Sequence, residues 1–215
     1  MAEVKRVLDP VDRVSEVLFG LIMVVGFTGS LSVAEAGRDD VYAMLVGALG
    51  CNLAWGLIDG IFYLMGCLAE KGRSLATYEA VRTAADPQQA RQRIADALPS
   101  VVAAVLQPAE LEAVHQRLCR LPEPPARARL SREDWLGGAA VCLLVFVATF
   151  PVVIPFLVMD SAQPALRVSN GIAIAMLFGA GYEYGRRVGR RPWTLGIAMV
   201  LVGALLAGLA IALGG

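Results

Sequence analysis

The sequence is poor in the residues on which most enzymes and nucleic-acid binders rely. Of 215 residues, 18% are charged, one is histidine, and 19 acidic residues balance 19 basic ones. It has no phosphate-binding glycine loop, nucleophile elbow or repeated Cys or His signature. An enzyme that used histidine as a base would depend on His115 alone, so we expect no enzyme. The balanced charge gives no reason to expect nucleic acid as a partner.

Cysteine is also scarce. Cys51, Cys67 and Cys142 lie in apolar stretches, Cys119 lies in a polar one, and no two form a C-x-x-C pair. This pattern excludes a disulfide framework and predicts reduced cysteines that act as small apolar side chains.

Apolar residues, in contrast, make up 57% of the chain. About 20 apolar residues in a helix cross a membrane, and five stretches have that length: roughly 14–34, 41–69, 135–159, 168–188 and 193–213. The sequence therefore predicts an all-α polytopic membrane protein with five transmembrane helices. Residues 1–69 hold an N-terminal segment and helices 1 and 2, residues 70–132 a small helical cytoplasmic insert, and residues 133–215 helices 3 to 5.

The basic residues predict the topology. Seventeen of the 19 precede the first span, lie in the insert or separate spans four and five, and only Arg38 and Arg167 remain for the other side. Short cytoplasmic loops hold the excess of Lys and Arg in most membrane proteins. We therefore expect a bacterial inner-membrane protein with a cytoplasmic N-terminus and insert and an outside C-terminus.

Helix punctuation marks the insert and the third span. Asp86-Pro87 supplies an N-cap and a first-turn proline, and a second amphipathic helix runs from about Pro108 to Leu121. Pro151 and Pro155 should bend or end the third span. The second span should continue past the membrane towards Lys71. The insert is too small for a large core of its own.

Asp59 stands inside the apolar run of the second span. A carboxylate at membrane depth is costly unless it is neutralised, hydrated or paired, so such residues usually face a bundle interior or an aqueous path. Asn52, Asp59 and Tyr63 share roughly one helix face, as do Glu16 and Met23 on span one. Oxygen and thioether ligands suit a metal such as iron better than magnesium or calcium. Structural hydrogen bonding by Asp59 and Glu16, and apolar packing of Met23, are the alternatives.

Two further groups have a structural and a functional interpretation. Glu112, His115 and Cys119 share a helix face in the insert and could bind a transition metal, or could simply be exposed polar residues. A strip of small residues on span two, Gly47, Gly50, Cys51 and Ala54, indicates either packing within the chain or dimerisation.

Several short motifs resemble the vacuolar iron transporter family. Ser15-Glu16 and Gly26-Phe27-Thr28-Gly29 are similar to the opening of the family's first span, and Leu64 to Ala69 resembles its glycine-rich exit from span two. Pro151 and Pro155 resemble its proline pair, and Gly179 to Gly214 is similar to its two closing spans. The family's ligating methionine in span two would fall at Phe62, with Met65 nearby.

The resemblance implies a homodimer that moves ferrous iron or manganese out of the cytosol in exchange for protons. Glu16, Asp59, Asn52, Met23 and Met65 are the candidate path residues, with Glu16 and Asp59 as metal ligands. We expect no permanently bound cofactor, only the transported Fe²⁺ or Mn²⁺. The alternative is a scaffold in the lipid bilayer that transports nothing and whose basic insert binds a partner or anionic lipid.

Overall fold

A computed structural model describes residues 10–30 and 38–212 of the chain. All regular secondary structure in these residues is helical. In that part of the chain the all-α prediction is confirmed. The helices are α1 (Pro10–Ser30), α2 (Arg38–Arg82), α3 (Pro87–Ala97), α4 (Ser100–Val105), α5 (Pro108–Arg120), α6 (Arg132–Val147), α7 (Phe150–Val158), α8 (Ala162–Val188) and α9 (Pro192–Ala212).

The chain forms two compact units. Residues 1–63 with 132–215 make the bundle unit, and residues 64–131 make the insert unit. Helix α2 contributes to both, because it runs unbroken for 45 residues, or about 67 Å at 1.5 Å per residue. The sequence predicts that this helix continues towards Lys71, and in the structure it extends to Arg82.

The bundle unit is built around α8, which packs against α1, α7 and α9. Its apolar core contains Leu21 and Val24 from α1, Val152 and Val153 from α7, and Leu177 from α8. Glycine allows the closest helix approach. A Cβ added at Gly181 would lie 2.6 Å from the carbonyl oxygen of Leu195 on α9. Such close backbone approach replaces the hydrophobic driving force that helices lack in lipid.

The third predicted span is interrupted where the proline pair begins. Helix α6 ends at Val147 and α7 starts at Phe150, with Pro151 in its first turn and Pro155 inside it. The hydroxyl of Thr149 donates to the carbonyl oxygen of Phe146 at 2.7 Å, which satisfies a backbone acceptor at the break. Ser or Thr hydroxyls commonly compensate for proline in this way in membrane helices. The predicted bend is confirmed.

Helices α3, α4 and α5 of the insert unit enclose a small core with the end of α2. Val81, Ala90 and Ile94 are its buried members, and Leu111 and Leu118 pack against them. As predicted, Asp86 caps α3, since its carboxylate accepts from the N–H of Gln88 at 2.9 Å. The insert unit thus has three short helices, within the two or three that the sequence predicts, although the sequence located only α3 and α5.

Two helical stretches of the described residues are long and apolar enough to cross a membrane, Asp40–Arg82 and Arg132–Val158. Two others, Val14–Gly26 and Pro192–Leu206, are apolar but shorter, and the 27-residue α8 belongs to neither group. The count of five membrane spans therefore stays a prediction.

Candidate transport path

The register between α1 and α2 decides which candidate residues can meet. The rings of Phe19 and Trp55 lie edge to face with centroids 5.7 Å apart. In a parallel pair with Phe19 beside Trp55, the end of α1 at Ser30 and the start of α2 at Arg38 would lie in opposite directions from the contact, about 40 Å apart. The eight residues from Ser30 to Arg38 can span at most about 28 Å. Helices α1 and α2 are therefore antiparallel.

This register places the candidate residues at two levels. Glu16 precedes Phe19 by three residues and Asp59 follows Trp55 by four, so the two carboxylates share one level. Met23 and Asn52 share a second level, about 10 Å away at 1.5 Å per residue. Glu16, Asp59 and Met23 are half-buried and Asn52 is fully buried. The four residues therefore follow one course along the α1–α2 pair.

Asn52 is the most informative member of this group. Its side-chain amide donates to the carbonyl oxygen of Ala48, one turn earlier on α2, at 3.1 Å. Its Oδ1 is buried and has no hydrogen-bond partner among the residues that the structure describes. Leaving a buried acceptor unsatisfied costs roughly 1–3 kcal/mol. Such a cost points to a role beyond packing, because a leucine would fill a similar volume without it.

Asp59 adds a charge to the same course. Its carboxylate has no hydrogen-bond or ion-pair partner among the described residues. Glu16, in contrast, takes part in a polar interaction within the protein. Two carboxylates at one level, of which one is unpaired, can take up a cation or a proton.

Glycines bring the backbones of three helices together beside these residues. On α2, a Cβ added at Gly56 would lie 2.8 Å from the carbonyl oxygen of Cys142 on α6. A Cβ added at Gly60 would lie at the same distance from the carbonyl oxygen of Gly138, also on α6. One added at Gly20 of α1 would lie 2.6 Å from that of Val145. Helices α1, α2 and α6 therefore converge next to Asn52 and Asp59.

Sequence reasoning chose a different glycine strip on α2. Gly50 is exposed, and a Cβ added to it would meet no atom of residues 10–30 or 38–212 within 4 Å. The residues that pack against α6, Gly56 and Gly60, are four apart in the sequence, and that small-xxx-small spacing could have revealed them. Intrachain packing, one of the two interpretations of that strip, therefore does not hold at Gly50, and dimerisation along the strip stays a prediction.

Met65 lies apart from the other candidates. Its side chain is 60% exposed, in the insert unit, whereas Glu16, Asn52 and Asp59 belong to the bundle unit. Its part in a transport path stays a prediction.

The insert residues form a polar cluster. One Glu112 oxygen lies 3.6 Å from Nδ1 of His115 and accepts from Gln116 at 3.3 Å, and the other lies 3.5 Å from Nη1 of Arg91. Cys119 is exposed. In residues 10–30 and 38–212, no group of three or more His, Cys, Asp or Glu side chains is placed to hold a metal ion. The metal site in the insert stays a prediction.

A helical bundle of apolar, glycine-packed helices with carboxylates and a buried amide along one helix pair is typical of an integral membrane protein. The chain belongs to the VIT family, whose family model matches residues 64–215, more than half of its length. This is a family of membrane metal-ion transporters. It is not a family of enzymes, in agreement with the expectation from the single histidine. No curated protein matches the chain.

The matched region has a consequence for the candidate residues. It begins at Leu64, so it includes the insert unit and α6 to α9, but Glu16, Met23, Asn52 and Asp59 precede it. The family match therefore does not cover these four residues, and any role for them must be inferred from the geometry of α1 and α2.

Proposed function

We propose that the protein exports a divalent metal ion, iron or manganese, from the cytosol in exchange for protons. The ion passes between α1 and α2, where Glu16 and Asp59 receive it and Asn52 and Met23 form the next level. The buried, unsatisfied Oδ1 of Asn52 is the observation that carries this proposal, because a passing cation would satisfy it.

The chemistry of the two levels supports a transition metal. Glu16 and Asp59 offer carboxylate oxygens, and Asn52 and Met23 offer an amide oxygen and a thioether sulfur. Hard ions such as Mg²⁺ prefer oxygen and water alone, whereas a thioether favours a softer ion. Fe²⁺ fits this mixed set, and Mn²⁺ fits its oxygen-rich first level.

Proton exchange follows from the same carboxylates. A carboxylate in an apolar bundle favours protonation when no cation is near it, and a bound cation favours ionisation. Binding of a metal ion to Glu16 and Asp59 would therefore release protons, and its departure would permit their return.

Orientation and assembly complete the proposal. The distribution of basic residues supports a cytoplasmic N-terminus and insert and an outside C-terminus. The bacterial inner membrane is part of the proposal and does not follow from this distribution. A homodimer is also proposed. The exposed apolar residues of α2, such as Val46, Leu57 and Ile61, provide a surface that either a second copy or lipid can cover.

The test is ion flux into proteoliposomes across an imposed pH gradient, with Fe²⁺ and Mn²⁺ measured separately. We expect gradient-dependent flux that Asp59→Asn, Glu16→Gln and Asn52→Leu reduce at least tenfold. Glu183→Gln is the matched control, because Glu183 lies on α8, outside the α1–α2 pair, and its carboxylate pairs with Arg186 and Arg187. It should retain flux.

Two outcomes would contradict the proposal. Flux that all three path variants leave unchanged would remove α1 and α2 from the path. No flux of either ion from folded protein would favour the scaffold, whose basic insert binds a partner or anionic lipid.

A further inference from the structure

The short turn between α8 and α9 concentrates positive charge. Arg186 and Arg187 lie in the last turn of α8, and Arg190 and Arg191 follow its C-cap. The carboxylate of Glu183, also on α8, pairs with Arg186 and Arg187 at 3.4 and 2.9 Å. Arg190 and Arg191 are exposed and have no acidic partner in the described part of the chain. Three positive charges thus remain in excess within six residues.

The backbone keeps this turn tight. Gly189 ends α8 in the left-handed conformation with φ +70°, and the N–H of Arg190 donates to the carbonyl oxygen of Gly185 at 3.0 Å. Helix α9 starts two residues later, at Pro192. The four guanidinium groups are therefore confined to one end of the α8–α9 pair. Guanidinium groups bind phosphate through paired hydrogen bonds.

Three aromatic rings lie immediately beside the turn. Trp193 contacts Tyr182 edge to face at 5.6 Å between centroids, and it contacts Phe178 at 5.5 Å. Trp193 is nevertheless 66% exposed. Tyrosine and tryptophan with one exposed side concentrate where lipid head groups meet the hydrocarbon. The arginines therefore stand at the level of lipid phosphates.

An apolar groove of about 420 Å³ continues from these rings along the α8–α9 surface. Phe178 belongs to both, and the groove is lined further by Ile174 and Ala175 on α8 and by Ile197, Val200 and Leu201 on α9. Ile197 and Leu201 lie five and nine residues beyond Pro192, or about 7 and 14 Å along the helix. One leaflet of hydrocarbon is about 15 Å deep. The groove therefore covers the depth that an acyl chain occupies.

We propose that the α8–α9 turn and this groove form a specific binding site for an anionic phospholipid. Arg190 and Arg191 hold the phosphate, Trp193 lies against the glycerol region, and one acyl chain fills the groove. An anionic lipid fits better than a zwitterionic one, because a choline group would add positive charge to a turn that already has an excess. This site is separate from the α1–α2 path and does not depend on transport.

The test uses the purified full-length chain in neutral detergent, with bound lipid counted by native mass spectrometry. The probes are dioleoylphosphatidylglycerol and dioleoylphosphatidylcholine. We expect preferential binding of one phosphatidylglycerol, and affinity that falls about tenfold or more in the double variant Arg190→Gln with Arg191→Gln, since each basic residue near an anionic surface contributes to binding. The double variant Arg127→Gln with Arg129→Gln removes equal charge elsewhere and should bind as the unmodified chain does.

The groove has its own pair of variants. Ala175→Leu fills it, and Ala204→Leu makes the same change at another exposed position of the pair. We expect only Ala175→Leu to weaken phosphatidylglycerol binding. Equal loss in both arginine double variants would show diffuse charge attraction and overturn the proposal. So would full binding by Ala175→Leu, or competition by millimolar inorganic phosphate that displaces the lipid, which would indicate a soluble anion as the ligand.

Discussion

The bundle unit and the insert unit are both helical, yet different interactions hold their helices together. In the bundle unit, glycines let one backbone approach another, as where a Cβ at Gly60 would lie 2.8 Å from the carbonyl oxygen of Gly138. In the insert unit, a Cβ at Gly66 or Gly72 would meet nothing within 4 Å. The insert unit relies instead on a small apolar core and on capped helix ends.

The solvent explains this difference. Water drives apolar side chains such as Ile94 into a core, and it competes for every exposed helix end, so caps and buried methyl groups stabilise the insert unit. Lipid is as apolar as leucine and gives no such driving force. The bundle unit must gain its stability from close contact and from hydrogen bonds that lipid cannot replace.

Removal of the insert core should produce the largest effect. Ile94 lies on the buried face of α3 and is 5% exposed. Ile94→Ala should lower the free energy of unfolding of the insert unit by about 3 kcal/mol, through lost apolar burial and the cavity left behind. We expect faster amide hydrogen exchange in α3 and α5, measured by mass spectrometry, and unchanged exchange in α8 and α9.

Val101→Ala is the control for Ile94→Ala. Val101 is 77% exposed, so its truncation should change exchange little. If Ile94→Ala accelerated exchange equally in α8 and α9, the two units would not be separate in stability and the comparison would fail.

A methyl group added to the bundle should give the second-largest effect. Gly56→Ala places its Cβ 2.8 Å from the Cys142 carbonyl oxygen, which is backbone and cannot move aside alone. We expect a loss of about 1–3 kcal/mol from overpacking, measured as a lower unfolding midpoint in detergent.

Gly50→Ala makes the same change on the same helix in open space. It should be neutral or stabilising by up to about 1 kcal/mol, since alanine favours a helix over glycine. Equal midpoints for the two variants would show that close approach does not stabilise the bundle unit.

Sequence patterns predicted those elements whose cause is local. The proline pair marked the break near Thr149, and Asp86-Pro87 marked the start of α3, because caps and missing N–H groups act within one turn. The sequence did not locate the short helix α4, because its six residues carry neither a side-chain cap nor a buried residue. The packing role of Gly56 was not predicted either, because it depends on which face of α2 meets α6.

The candidate site shows the same limit. The sequence indicated polar residues on one face of each span, but it could not show that Asn52 is fully buried with an unsatisfied Oδ1. It placed Glu16 and Asp59 on one path but could not give their register, which follows from the Phe19–Trp55 contact. Long-range register, rather than residue type, was the missing information.

Loss of the α3 cap should have a moderate effect confined to the insert unit. Asp86→Ala removes the acceptor for the Gln88 N–H and should cost about 1 kcal/mol. This loss would appear as faster hydrogen exchange of the first-turn amides of α3. Asp86→Asn keeps a good capping side chain and should retain most of the protection. An equal effect of both variants would indicate that charge, rather than the cap, stabilises this end.

The smallest effect is expected from a hydrogen bond inside the bundle unit. The hydroxyl of Ser169 on α8 is fully buried and donates to the carbonyl oxygen of Val152 on α7 at 2.7 Å. Ser169→Ala should lower stability by only about 0.6 kcal/mol, since side chains in the membrane-embedded unfolded state also find partners. The exposed neighbour Asn170 provides the control, Asn170→Ala, in the same detergent-unfolding measurement. A cost several times larger for Ser169→Ala would mean that buried hydrogen bonds stabilise the bundle unit as much as the glycine contacts do, which would contradict the order of effects expected here.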